Sequence, residues 1–233
     1  MNTLSEQLQF SVFQDVFFPA EDESLDQQQM NLTLEKVIRF QLDPQTLFNG
    51  MPLVVFDFET TGLDSKSDLI IEVGAVRIEN GQPVGEFSTL INPGVSLSEQ
   101  VVSITGINDE MLVGQPPIED VLGDFVSFFE GATLVAHNAE FDMAFLTAAC
   151  QRIGWRLQWP AFCTLKMARR ILPQLESRNL DTLAGHYDLS FEARHRSIGD
   201  VKVTCAVMNE MLADLGDELK SWSDLKDFYV TRS

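Results

Sequence analysis

The chain has 233 residues, 45% of them hydrophobic, and a mean hydropathy of zero, which fits one domain with a full core, with or without an appendage. Sixteen Lys and Arg stand against 35 Asp and Glu, a formal net charge of −19; taken alone, that argues against a nucleic-acid partner, because phosphate binding usually rests on basic patches. Three cysteines without C-x-x-C spacing, Cys150, Cys163 and Cys205, give no readable zinc site or disulfide framework, and with no signal-peptide pattern and no apolar run of ~18 residues the expected location is cytoplasmic, with no membrane partner.

In chain order, residues 1–50 read as an N-terminal extension. Glu21-Asp22-Glu23 and Gln27-Gln28-Gln29 look like a linker, yet Phe10, Phe13, Phe17, Phe18, Phe40 and Phe48 are more aromatic residues than a disordered tail carries. Part of the segment is therefore expected to pack on the main domain or to dock a partner, and Leu32, Leu34, Val37 and Ile38 mark a short element of undetermined type. The main domain is expected over 51–215. Leu53 to Phe56 reads as a buried strand, 69–78 as a second, and 87–91 as a third after a turn at Gly81-Gln82. Apolar spacing predicts a helix over 119–129, then a strand over 133–136. Further helices are predicted over 140–153, 164–172, 181–187 (with Asp181 near its N-cap) and 197–215. The fold class is α/β: a mixed central sheet, an antiparallel meander plus parallel strands, flanked by helices. Residues 216–233 form a short C-terminal tail with no recognisable sliding-clamp motif.

Three groups of residues carry chemistry. Asp57 and Glu59 end the first strand of the main domain two positions apart, so both carboxylates share one face. They repel each other unless a cation lies between them. Asp142 falls in the first turn of a helix, after the strand exit Leu134 to Asn138. His195 and Asp200 are five residues apart where the last long helix begins. Each group alone has an ordinary explanation: a solvated strand end, an acid at a helix N-terminus, a loop histidine.

Together, D-x-E-T-T-G-L from Asp57, T-G-I at Thr105, H-N-A-x-F-D from His137 and H-x-x-x-x-D from His195 resemble the DEDDh 3′-to-5′ exonucleases. That family includes the proofreading epsilon subunit of bacterial DNA polymerase III and polymerase-embedded exonuclease domains. The resemblance covers about residues 52–213 and implies an RNase H-like fold. It implies that Asp57, Glu59, Asp142 and Asp200 hold two divalent cations, Mg²⁺ or Mn²⁺, and that His195 is the general base. Two metals serve both ends of an in-line phosphodiester displacement, carboxylate oxygens suit such hard ions, and a histidine ordinarily titrates near ~6.5, where it can take a proton from water.

By the same resemblance Thr60, Thr61 and Leu63 meet the 3′-terminal nucleotide, and Asn138 and Phe141 contact the terminal nucleotides, Phe141 by stacking. Thr105 replaces the histidine of close relatives and is expected to keep a hydrogen bond to the scissile end. His137 is read as structural and His186 as an ordinary satisfied or exposed histidine. The implied partner is a nucleic-acid 3′ end, DNA favoured over RNA, with a DNA polymerase as a further candidate. RNA 3′-end trimming, hydrolysis of short oligonucleotides and an inactive binding module are the alternatives. Residues 152–202 hold nine bases and five acids, a net of +4, and are expected to meet the substrate backbone through groups such as the two arginines beside His195. The remaining acidity predicts a distributive enzyme with a weak, salt-sensitive hold on its strand.

Overall fold

The computed structural model describes residues 36–39, 51–190, 194–216 and 228–230. The expectations about the linker and the phenylalanines of residues 1–35 and 40–50 lie outside these residues, as does most of the C-terminal tail. The elements are β1 (Lys36–Arg39), β2 (Leu53–Thr60), β3 (Ile70–Glu79), β4 (Gln82–Leu90), α1 (Glu99–Thr105), α2 (Asp109–Leu112), α3 (Ile118–Phe129), β5 (Thr133–Ala136), α4 (Ala139–Arg152), β6 (Trp155–Gln158), β7 (Ala161–Cys163), α5 (Thr164–Ile171), α6 (Leu180–His186), α7 (Ser197–Leu215) and β8 (Tyr229–Val230).

Six strands form the main sheet in the order β4-β3-β2-β5-β7-β8. β4, β3 and β2 are the antiparallel meander. β5 and β7 add in parallel to β2, and β8 closes the far edge antiparallel to β7. β1 pairs in parallel with β6, with Lys36 opposite Trp155. The predicted mixed sheet is therefore the observed one.

The hairpin between β3 and β4 turns at Asn80-Gly81, one residue earlier than the sequence reading placed it. Both residues have positive φ, 52° and 74°, as a two-residue turn matched to strand twist requires. β4 also begins at Gln82 rather than Phe87. Its first half is exposed edge strand, so it lacks the apolar pattern by which strands are recognised. Helix α6 begins one residue before the expected start, because Asn179 is its N-cap and accepts the Thr182 N–H at 2.8 Å, leaving Asp181 in the first turn.

The strict alternation of β2 divides the core. Val54, Phe56 and Phe58 face α3 and α4, meeting Leu122, Phe125, Phe129, Phe145 and Leu146. Their rings pack edge to face, Phe56 to Phe58 at 5.3 Å and Phe125 to Phe129 at 5.2 Å, the arrangement favoured by aromatic quadrupoles. Leu53 and Val55 face the opposite layer, where Val203, Val207, Met208 and Met211 of α7 cover them with Met167 of α5 and Leu183 of α6. Burying each such side chain contributes roughly 1.5–3 kcal/mol. The consequence for function is positional. Asp57 and Glu59 continue the face of Leu53 and Val55, so they emerge beneath the N-terminus of α7. β5 runs parallel to β2, so the chain leaving β5 into α4 starts at the same end of the sheet. Among the described residues no helix is long and apolar enough to cross a membrane.

Candidate active site

The carboxyl ends of β2 and β5 are where an open α/β sheet characteristically forms a binding crevice. Asp57, Glu59 and Asp200 meet there, each offering an oxygen within 4.8 Å of the others. Asp200 comes from the first turn of α7 on one face of the sheet. Asp142 comes from the first turn of α4 on the other. It is 2% exposed, and its Oδ1 accepts the N–H of Phe58, the residue between Asp57 and Glu59, at 3.2 Å. Four acids separated by up to 143 positions in sequence thus converge on one strand end.

The crowding has a clear electrostatic signature. Desolvation first, then the neighbouring charges of Asp142, Glu59 and Asp200, hold the Asp57 carboxyl well above the usual carboxylate range. Burial also raises Asp142, against the opposing hydrogen bond from Phe58, and raises Asp200, against the opposing charges of Arg194 and His195. Glu59 is pushed up to about 7 by burial, then by Asp200 and Glu72. Asp200 Oδ1 is buried and has no hydrogen-bond partner. An all-oxygen, mutually repelling donor set, half-buried at Asp57 and Glu59 and buried at Asp142 and Asp200, with an unpartnered oxygen, fits a hard divalent cation.

A carboxyl with a raised folded-state pKa binds more protons folded than unfolded, so stability increases as pH falls through the folded value toward the unfolded one. For Glu59 that window runs downward from about 7. In EDTA, the melting temperature is expected to rise as pH falls from 8 toward 5.5. Glu59→Gln should flatten that slope, and so should saturating Mg²⁺, which makes the charged form the favourable one. Equal slopes for the wild type and Glu59→Gln in EDTA would contradict this account.

His195 is half-buried and sits at φ 57°, in the left-handed region. Arg194 reaches across it. Its Nη1 donates to Asp200 Oδ2 at 2.6 Å and lies 3.2 Å from His195 Nδ1, while Nε and Nη2 hold the two Asp181 oxygens at 2.7 and 3.2 Å. Arg196 turns the other way, onto Glu72 of β3. Both arginines beside His195 therefore face internal carboxylates. The sequence reading aimed them at a substrate backbone. It missed Glu72 and Asp181, which were detectable as an acid inside the apolar run Ile70-Ile71-Glu72-Val73 and an acid in a helix's first turn.

The other predicted site residues divide into groups. Leu63 is 87% exposed at the tip of the loop after β2. That loop is closed by Thr60 Oγ1 donating to the Gly62 carbonyl at 2.6 Å and by Thr61 Oγ1 accepting the Leu69 N–H at 3.0 Å. Asn138, at φ 67°, is the N-cap residue of α4 without a side-chain cap bond and lines an open cleft of about 590 Å³ with Asp57, His137, Arg169, Arg194 and Asp200. Phe141 is half-buried, its ring 4.8 Å from Phe145. Thr105 is buried, and its hydroxyl donates to the Val101 carbonyl at 2.9 Å and accepts the Ile107 N–H at 3.1 Å, so it secures the end of α1. His137 bridges Thr164 Oγ1 and the Arg178 carbonyl at 3.0 and 2.9 Å, and burial lowers its pKa to about 4; it is neutral and holds the cleft wall. His186 is exposed.

This fold, with these acids in this order, is that of a DEDDh-type 3′–5′ exonuclease, an enzyme of the nuclease class. The exonuclease family RNase_T matches residues 54–208, and the chain belongs to that family. It is 38% identical over 180 residues to the "DNA polymerase III PolC-type" of Caldanaerobacter subterraneus, covering 77% of this chain and 13% of that protein. It is 41% identical over 199 residues to the PolC-type polymerase of Thermotoga maritima, covering 83% and 14%. The chain thus spans a small part of the curated relatives it matches. Among solved structures, Exonuclease X in complex with 5′ overhanging duplex DNA is 25% identical with a TM-score of 0.62, covering 76% of this chain and 99% of that one.

Proposed function

We propose that this chain removes nucleotides from DNA 3′ ends by metal-dependent hydrolysis, in a proofreading role beside a DNA polymerase. The meeting of Asp57, Glu59 and Asp200 at one strand end, with Asp142 bonded to the Phe58 N–H between the first two and His195 joined to Asp200 through Arg194, carries the reading. The PolC-type relatives and the DNA-bound Exonuclease X support DNA as substrate and a replicative polymerase as partner.

Asp57, Glu59, Asp142 and Asp200 would hold two divalent cations, Mg²⁺ or Mn²⁺. When bound, these ions supply charge stabilisation at the attacking and leaving oxygens of an in-line displacement. His195 accepts the proton of the attacking water. The water oxygen bonds to phosphorus, the bond from phosphorus to the 3′ oxygen breaks with its electron pair leaving on that oxygen, which takes a proton from solvent, and the products are a nucleoside 5′-monophosphate and a shortened strand with a 3′-hydroxyl. Arginine has no acceptor, so the Arg194 contact makes His195 Nδ1 the acceptor and puts the neutral ring's proton on Nε2. Proton uptake at Nδ1 therefore requires Arg194 to withdraw, and its hold on Asp181 gives the guanidinium a place to retain. Leu63 offers an apolar surface to the terminal base, and Asn138 and Phe141 line its approach.

The test is degradation of matched 5′-labelled DNA and RNA strands with Mg²⁺, Mn²⁺ or EDTA, including a duplex with a 3′ mismatch. Stepwise shortening of DNA from its 3′ end, faster at the mismatch and abolished by EDTA, is expected. Faster trimming of RNA would replace the DNA reading, and metal-independent cleavage would overturn the mechanism.

A further inference from the structure

Glu72 lies in the interior of β3 and is 1% exposed. A buried carboxylate persists only when its charge and lone pairs are satisfied. Here Oε1 accepts from Arg196 Nε at 3.0 Å and from Nη2, and Oε2 accepts the Ser197 backbone N–H at 2.8 Å. Ser197 is the first residue of α7, and Arg196, its N-cap residue, makes no side-chain cap bond. The cap of α7 is thus supplied by a strand 125 positions away in sequence.

Two further observations concern the same few residues. At Gly74, on the same face of β3, a Cβ would stand 2.6 Å from Ile198 N and the Ser197 carbonyl carbon, so the start of α7 rests directly on the β3 backbone. His195, just before Arg196, is held in a left-handed conformation, uncommon for a residue with a Cβ. The chain is fixed immediately after His195 by Arg196 and Ser197, and Asp200 follows one turn later, its N–H on the Arg196 carbonyl at 3.0 Å.

We infer that Glu72 and Arg196 form a clamp that sets the position of His195 and the entry of Asp200 into the carboxylate cluster. Both are positioning residues, since neither reaches the reacting atoms. The register adds a reason for the pairing. Glu72 stands directly opposite Glu59, so Arg196 also offsets a charge that would otherwise face a member of the cluster. The inference rests on His195 being the general base.

Arg196→Ala, Arg196→Lys and Glu72→Gln test it, with His195→Asn as reference. Arg196→Ala leaves the buried Glu72 without its cation and should lower the melting temperature, whereas Arg196→Lys keeps a charge and Glu72→Gln keeps an oxygen for the Ser197 N–H, so these two keep the test open if Arg196→Ala folds poorly. On a labelled single strand with Mn²⁺, Arg196→Ala and Glu72→Gln should lower kcat by about 10–100-fold, the usual scale for a group that supports a site residue without touching reactants. KM should change little, and Arg196→Lys should retain more turnover than Arg196→Ala. The chain has three histidines, so imidazole NMR resolves them. In Arg196→Ala the His195 signal should move or broaden while His137 and His186 stay in place. Wild-type kcat in Arg196→Ala and Glu72→Gln, with His195→Asn inactive, would overturn the clamp alone, as would a kcat loss with the His195 signal unmoved. Wild-type turnover in His195→Asn would overturn the base assignment, and with it the clamp's catalytic purpose.

Discussion

Replacing Asp57 by Asn is expected to lower turnover on a DNA 3′ end by at least ~10²–10³-fold, the scale on which preorganised stabilisation of developing charge acts. The side chain is central to the cluster, its charge opposed by Asp142, Glu59 and Asp200 at once, so neutralising it would weaken the hold of these residues on a divalent cation. The same change should make the metal-free protein more stable. Asp57 is a carboxyl whose charge is opposed by three neighbours and by desolvation, and removing that charge relieves them all. The expected pair of results is lost Mn²⁺ binding by calorimetry and a raised melting temperature in EDTA. That combination separates a site residue from a fold residue, because a fold residue loses both activity and stability. Wild-type nuclease activity in Asp57→Asn would remove Asp57 from the catalytic assignment.

Replacing His195 is the second large effect. Loss of a general base costs about 10²–10⁴-fold in rate, and Mn²⁺ binding should survive because the carboxylates remain. His195→Asn is the informative variant, since φ is 57° at this position and Asn tolerates the left-handed region that strains Ala. A drop in kcat with metal binding intact supports the base role. Metal binding lost together with activity would instead make His195 part of the cation site.

Most of the fold that positions the site was legible in the sequence. β2, β3 and β5 show as apolar runs and α3, α4, α5 and α7 as stretches of helical length with apolar residues on the buried side. The elements that escaped are short or polar. β6, β7 and β8 have two to four residues each, and α1 and α2 seven and four, too few for a period to be counted; the four-residue β1 was marked by Val37 and Ile38 as a short element but its type was not. Their existence depends on partners far along the chain, as β1 depends on β6.

The candidate site divides along the same line. The sequence by itself named the acids and the histidine only in combination: D-x-E on a strand end, an acid in a helix's first turn and a histidine five residues before an acid each have an ordinary explanation alone, and it is their order together that resembles an exonuclease. It also set the net charge of −19. Only the tertiary structure decided where the arginines point. Arg194 and Arg196 flank one histidine in a basic stretch, which reads as a surface for phosphate. Folding turns both inward, onto Asp181 and Asp200 in one case and Glu72 in the other. The reason is desolvation. Asp200 and Glu72 have lost their water, and a guanidinium within reach recovers more by pairing with them than by remaining in solvent; Asp181 is exposed and only anchors the other edge of Arg194. Which carboxylates lie within reach is a property of strand register and helix placement, and no run of neighbouring residues encodes it.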